Sequence, residues 1–373
     1  DALPISIILT ASGDRNHAIM NIVASAFGNA GQKCSACSLL LVERSVYEDK
    51  NFQDKLKDAA TSMKVGSVWN PGNVVGPMIT NKNDKLLKAL ELEKGESWLV
   101  PPRFLDKHKY VLAPTVKWGV RPGNYSFRTE LFGPMLSVVC IENLQQGINW
   151  VNSLDYGLTA GLQSLDEGEQ KLWKDSIMAG NLYINRGITG AIVNRQPFGG
   201  MKLSAFGGGV KAGGPNYCDC FVKITDKLGS TTDYTQSYVK AYEQEFAHAR
   251  DVNNLYGEQN AFRYLPLKNM VLRLFPGDNN EDAKMIALAA RICHTPLSIS
   301  FEPGDDRTAA LASLGCPLKE EALAGFLKSM KNYERIRTCG ADIPMEMYEE
   351  AARIDKYIAT AKPVKDGRVE LIH

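Results

Sequence analysis

The chain has 373 residues, enough for two or three domains of ordinary size, and 44% hydrophobic against 23% charged residues excludes disorder as its main state. Forty-three Lys and Arg against 42 Asp and Glu leave a net charge of +1, which argues against a nucleic acid or an anionic membrane as principal partner. No apolar run reaches the roughly 18 residues of a membrane span, and no basic segment followed by an apolar stretch marks a signal peptide, so a cytoplasmic location is expected.

In chain order, Ile5–Thr10 reads as a buried strand. Residues 15–29 place Ile19, Ile22, Val23, Ala26 and Phe27 on one helical face, with Gly28 and Gly31 ending the helix. Ser38–Val42 is a second strand, 47–64 an amphipathic helix, 65–77 a Gly- and Pro-rich loop, and 80–93 a further helix. Short strands then alternate with helices to Gly200, and the glycines of 199–214 read as irregular backbone near a site or turn. A helical stretch over 233–249 leads into a regular pattern: strand Met270–Phe275, helix Glu281–Cys293, strand Leu297–Phe301, helix Glu320–Met330, strand Arg335–Thr338, helix Pro344–Thr360. That alternation predicts a parallel α/β layer. The turn after its first strand, Pro276-Gly277-Asp278, lacks the G-x-G-x-x-G pattern of a nucleotide site.

Eight cysteines are too few for a disulfide scaffold and read as free thiols. Cys34 and Cys37 have metal-like spacing but no matching second pair, Cys218 and Cys220 lie too close for zinc, and the five histidines are scattered, so no metal site is expected.

Three segments could carry chemistry. In Phe27–Ser38 (FGNAGQKCSACS) a helix stops at glycines and a cysteine follows at once, which can hold a thiol off regular structure beside backbone N–H donors; a lone loop cysteine also reads as a small buried hydrophobe. In Thr129–Pro134 (TELFGP) a Glu precedes an apolar pair and a Gly-Pro turn, and could meet a ligand hydroxyl or lie exposed. In Asn181–Gly209, Gly190-Ala191 allow close approach of a ligand to the backbone and Phe198 could wall a pocket, or the segment is a set of turns.

The order of the three, with Glu130 about 95 residues after Cys34 and Pro-Phe-Gly-Gly about 65 further, resembles the catalytic half of the aldehyde dehydrogenase superfamily over nearly all of residues 6–225. SAFGNAGQKCSA and AGNLYINRGITGAIVNRQPFGG look more narrowly like Δ1-pyrroline-5-carboxylate (glutamate semialdehyde) dehydrogenase, above all the form fused behind proline dehydrogenase in bacterial bifunctional proline-utilisation proteins. Residues 225–373 resemble the tail of some of those proteins.

The resemblance implies an α/β protein in two regions: an aldehyde dehydrogenase catalytic domain of three layers over 1–225, then a helical connector and degenerate Rossmann-like module over 226–373. It implies NAD-dependent oxidation of glutamate semialdehyde to glutamate, the second step of proline breakdown. Cys34 is then the nucleophile, its own N–H half of an oxyanion hole. Ser35, Gly190 and Ala191 anchor the substrate carboxylate, Phe198 packs on its aliphatic chain, and Glu130 and Phe132 meet the nicotinamide riboside of NAD.

Departures from the family matter equally. The acidic general base, the side-chain half of the oxyanion hole and the NAD-binding domain are expected upstream of Asp1, which is a poor substitute base. The chain thus reads as the C-terminal part of a longer enzyme, its partners being the small aldehyde, the upstream NAD-binding and proline dehydrogenase domains and, in the parent, further copies of itself; alone it is expected to fold without turning over or binding NAD. The alternative is a structural or assembly protein built on the same fold, which the retained Cys34 disfavours.

Overall fold

The computed structural model describes residues 4–205, 207–227, 229–340 and 342–373, so Asp1 lies outside the described residues. The chain packs as two compact units, Asp1–Ile192 with Phe198–Ala205, and Val193–Pro197 with Phe206–His373.

The first unit is built on strands β1 (Ile5–Leu9), β2 (Cys37–Glu43), β3 (Ser97–Val100), β4 (Thr115–Val120), β5 (Met135–Ile141), β7 (Thr159–Gln163) and β8 (Asn181–Ile184), while β6 (Tyr156–Gly157) and β9 (Met201–Lys202) form a small antiparallel pair. The seven-stranded sheet runs β3-β4-β5-β2-β1-β7-β8, parallel throughout except for β3 at the edge. Its longer helices are α1 (Arg15–Phe27), α2 (Lys50–Ser62), α3 (Leu144–Asn152) and α4 (Glu167–Ser176).

The period-two geometry of a strand explains the layers. Leu40 and Val42 of β2 face one way, into a core with Ile19, Ile22 and Phe27 of α1 and Phe52 and Leu56 of α2. Leu39 and Leu41 face the other way, into a core with Ile148 and Val151 of α3 and Trp173 of α4. A sheet buried on both faces reads as a continuous apolar run, as β1 and β2 do. Two predicted helices are shorter than expected. The stretch 47–64 divides into Arg44–Tyr47 and α2 because the Asp49 carboxylate accepts from Asn51 N–H and restarts the helix. The helix at 80–93 is only Asp84–Ala89, opened by Asn83.

The second unit holds α5 (Tyr234–Ala241), α6 (Asn280–Ile292), α7 (Met345–Arg353) and five parallel strands: β10 (Met270–Arg273), β11 (Leu297–Phe301), β12 (Leu318–Glu320), β13 (Arg335–Arg337) and β14 (Ile358–Ala359). Their order, β12-β11-β10-β13-β14, is that of a doubly wound half. The expected parallel layer is present, with two corrections. The helix expected over Glu320–Met330 runs Leu323–Ser329, and its first expected residue, Glu320, instead ends strand β12. The helix expected over Pro344–Thr360 ends at Arg353, where Asp355 turns left-handed (φ 53°) and Lys356 N–H closes on Ala351 O, and β14 follows. The stretch 233–249 is α5 continued by a π-helical turn, Tyr242–Phe246. Edge strands of two or three residues leave no readable period.

At the carboxyl end of β10, where such sheets bind phosphate, the Asp278 carboxylate accepts from Phe275 N–H at 2.7 Å and Arg307 donates to the carbonyls of Phe275 and Asp278. Glu281 and Asp282 occupy the first turn of α6. This helix end presents carboxylates, the wrong sign for a phosphate.

Candidate active site

The side chain of Asp14 accepts from His17 N–H and opens α1, whose buried face ends at Ala26 and Phe27. Asn29, Ala30 and Gly31 then take φ values of 55°, 53° and 67°. Three successive left-handed residues, one of them alanine, are a strained arrangement that the surroundings must hold in place. Gln32 does part of this: its side-chain oxygen accepts from Ile79 N–H at 2.8 Å, and its amide donates to Pro77 O. A tight turn follows, closed by Ala36 N–H on Lys33 O at 2.9 Å, with Cys34 and Ser35 at its two central positions. The N–H groups of those positions are not consumed by the turn's closing bond. Cys34 is exposed, whereas Ser35 is 5% exposed. Three residues on, Cys37 is buried in β2 and its thiol is pushed up to about 12 by desolvation, which leaves it an inert packing group.

The TELFGP segment lies against this loop. A Cβ added to Gly31 would sit 2.2 Å from the carbonyl oxygen of Gly133, so the two backbones touch there. Asn83 holds the segment, donating to Leu131 O at 2.7 Å while its oxygen accepts from Leu86 N–H. With Leu131 buried, Phe132 takes a left-handed φ of 48° and is 41% exposed, and Glu130 is half-buried. Two motifs far apart in sequence thus share one backbone junction.

The third segment turns back after β8. Ile188 N–H donates at 3.0 Å to Oγ of Ser25, a buried serine on α1, and Tyr183 Oη donates at 2.8 Å to Gly190 O. Burial pushes the Tyr183 phenol up, so it stays a donor at neutral pH. Gly190, with φ of 138°, and Ala191 are exposed. Phe198 is half-buried beside Gly199, whose N–H donates to the Asn181 side chain. Ser25 therefore ties this segment to the helix that delivers Cys34. Sequence reasoning passed over Ser25, Gln32, Asn83 and Tyr183. The one available signal was a serine set among the apolar positions of α1.

Among the described residues no group of three or more His, Cys, Asp or Glu side chains could hold a metal ion, and no helix is long and apolar enough to cross a membrane.

An exposed thiol on a strained turn, backed by a doubly covered parallel sheet and joined to a Glu-Leu-Phe-Gly-Pro loop, defines a class. The sequence profile of the aldehyde dehydrogenase family matches residues 5–226, and the chain belongs to that family. Within it, the chain is 34% identical over 213 residues to the 1-pyrroline-5-carboxylate dehydrogenase of Geobacillus sp. strain WCH70 and 33% identical over 214 residues to that of Bacillus subtilis strain 168. Each match covers 57% of this chain and 41% of the relative, so the chain spans about two fifths of the length of these relatives. Among solved structures, Proline Utilization A (PutA) from Corynebacterium freiburgense covers 100% of this chain with 38% of its own, at 35% identity and a TM-score of 0.81. The 1-pyrroline-5-carboxylate dehydrogenase from Thermus with bound NAD covers 59% of this chain with 42% of its own, at 33% identity and a TM-score of 0.54.

Proposed function

We propose that this chain supplies the thiol and substrate-anchoring half of a dehydrogenase that oxidises glutamate semialdehyde, the open form of Δ1-pyrroline-5-carboxylate, to glutamate. The observation that carries this reading is the exposed Cys34 at the centre of a turn whose strained stem abuts the loop bearing Glu130 and Phe132.

The Cys34 thiolate adds to the aldehyde carbon, and the carbonyl oxygen takes up the negative charge. The Cys34 N–H, not used in closing the turn, would donate to that oxygen as half of an oxyanion hole. Gly190 and Ala191 offer exposed backbone to the substrate's carboxylate, held in place through Tyr183 and Ser25. Phe198 contributes an aromatic wall for the aliphatic chain. Ser35, nearly buried, would contribute its hydroxyl.

Glu130 and Phe132 suit a nicotinamide riboside: a carboxylate able to accept from two hydroxyls, and an exposed ring two residues on, both on a loop anchored by Asn83. When bound, NAD supplies the hydride acceptor. Cys34 then holds the oxidised carbon as a thioester until water releases the acid and restores the thiol. The general base and the nucleotide-binding half belong to the rest of the polypeptide that carries this chain, and the proline dehydrogenase of the bifunctional relatives would be a further part of it.

The test is NADH formation by the full-length protein carrying this chain, with pyrroline-5-carboxylate or acetaldehyde as substrate. The expected result is a preference in kcat/KM of at least about a hundredfold for the carboxylate-bearing substrate, the scale at which an unpaired anchoring site discriminates. Equal use of both substrates would sink the assignment.

A further inference from the structure

The loop that follows β8 is clamped, almost residue by residue, by side chains of the first unit. Asn185 turns left-handed, φ 53°, and its carboxamide brackets the backbone of Ser164, accepting from Ser164 N–H at 2.9 Å and donating to Ser164 O at 2.7 Å. The Arg186 carbonyl accepts at 3.1 Å from the side-chain amide of Gln163, which is buried at the end of β7. The Gln163 side-chain oxygen accepts in turn from Asn21 of α1 at 3.1 Å. Ser25, one turn further along α1, takes the Ile188 N–H, and the Tyr183 hydroxyl donates to Gly190 O. All these residues, and Cys34 with them, lie within the first compact unit.

The last of these bonds fixes a direction. A trans peptide is planar, and its N–H points opposite to its C=O. The Gly190 carbonyl is drawn toward the hydroxyl of Tyr183, which is 5% exposed and shares a buried cluster with Ile22, Ala30 and Ile188. The Ala191 N–H belongs to the same peptide plane and therefore points away from that hydroxyl. Ala191 is exposed, and among the described residues its N–H donates to no protein group. Sterics do not hold the plane: Gly190 has a φ of 138°, and a Cβ added there would meet no neighbour within 4 Å. A glycine with that much room can rotate its peptide cheaply, so the orientation depends on the bond to Tyr183.

We infer that Tyr183 is a positioning residue that aims the Ala191 N–H at the substrate's carboxylate, with Ser25 and Gln163 holding the stem of the loop, and that this aim sets the selectivity for a carboxylate-bearing aldehyde. The assignment rests on the functional reading above. A peptide N–H binds an anion only when pointed at it. Tyr183 spends its hydroxyl on Gly190 O and acts on the substrate through that peptide alone. Losing the hydroxyl therefore weakens the hold on the carboxylate and leaves the chemistry at the thiol intact.

The experiment uses the full-length protein carrying this chain. In Tyr183→Phe, which keeps the ring and removes only the donor, the KM for the semialdehyde should rise about tenfold with kcat within about twofold. For propanal, which has no carboxylate, kcat/KM should stay within about twofold, and the inhibition constant of glutamate against propanal oxidation should rise about tenfold. Ser25→Ala and Gln163→Leu should move the same KM in the same direction. Each also leaves a buried backbone group unpaired and should lower the unfolding midpoint, whereas Tyr183→Phe should leave it nearly unchanged. Tyr183→Phe thus decides the matter even where the other two fold poorly. Equal losses on both aldehydes, or an unchanged KM for the semialdehyde in Tyr183→Phe, would overturn the proposal. A wild-type protein that uses propanal as well as the semialdehyde would instead overturn the functional reading, so the wild-type preference and its response to Tyr183→Phe tell the two failures apart.

Discussion

Cys34→Ser in the full-length protein carrying this chain should abolish aldehyde oxidation, lowering kcat by about ten-thousand-fold or more, the scale seen when a covalent nucleophile is removed. The substitution is nearly isosteric and sits on an exposed turn, so the fold should survive it. What is lost is the soft sulfur nucleophile, since a serine hydroxyl is intrinsically a far weaker nucleophile toward an aldehyde carbon. The measurement is single-turnover NADH formation, with the unfolding midpoint as a check on folding. Two further substitutions sharpen it. Cys37→Ser should spare the chemistry, because that thiol is buried in β2 and held protonated to about 12. Changing both exposed cysteines at 218 and 220 should also spare it, although an alkylating reagent will reach them as it reaches Cys34. Retention of a tenth or more of the activity in Cys34→Ser would move the assignment to a structural or assembly protein built on this fold.

The parts of this molecule readable from sequence are those where one physical signal dominates. The buried strands β1 and β2 announce themselves as apolar runs, and α1 does so by its 3.6-residue stripe. Cys34, Glu130 and Gly190 could be singled out because thiol, carboxylate and glycine each stand out by type. Ser25 and Tyr183 could not, since a serine in a helix and a tyrosine in a strand are ordinary until the partner, Ile188 or Gly190, is placed beside them. Edge strand β14 reads as helix and β12 goes unmarked because a run of two or three residues shows no period, and the partners that make each a strand are 22 and 19 residues away in sequence. Local propensity there yields to ladder pairing with β11 and β13.

Gly31→Ala tests the junction between the two motifs. Gly31 adopts φ of 67°, and its missing Cβ leaves room for the Gly133 carbonyl; an added methyl would lie 2.2 Å from that oxygen, 2.7 Å from its carbon and 3.0 Å from Ala26 O. All three are backbone atoms of ordered segments, so no side chain can swing away. The left-handed conformation alone costs an alanine about 1 kcal/mol, and relief of the clash requires the Asn29–Gly31 stem or the TELFGP loop to move. The expected loss of stability is about 1–3 kcal/mol, read from denaturant unfolding. The expected loss in kcat/KM is larger in proportion, about a hundredfold, because a shift near 1 Å in the stem displaces Cys34 relative to Glu130 and Phe132 together. Gly28→Ala is the matched control: its φ is −54° and nothing lies within 4 Å of the added Cβ, so activity should hold within about twofold. If Gly31→Ala behaves like Gly28→Ala, contact between the two backbones does not position the thiol, and the Gln32 anchors to Pro77 and Ile79 must carry that task alone.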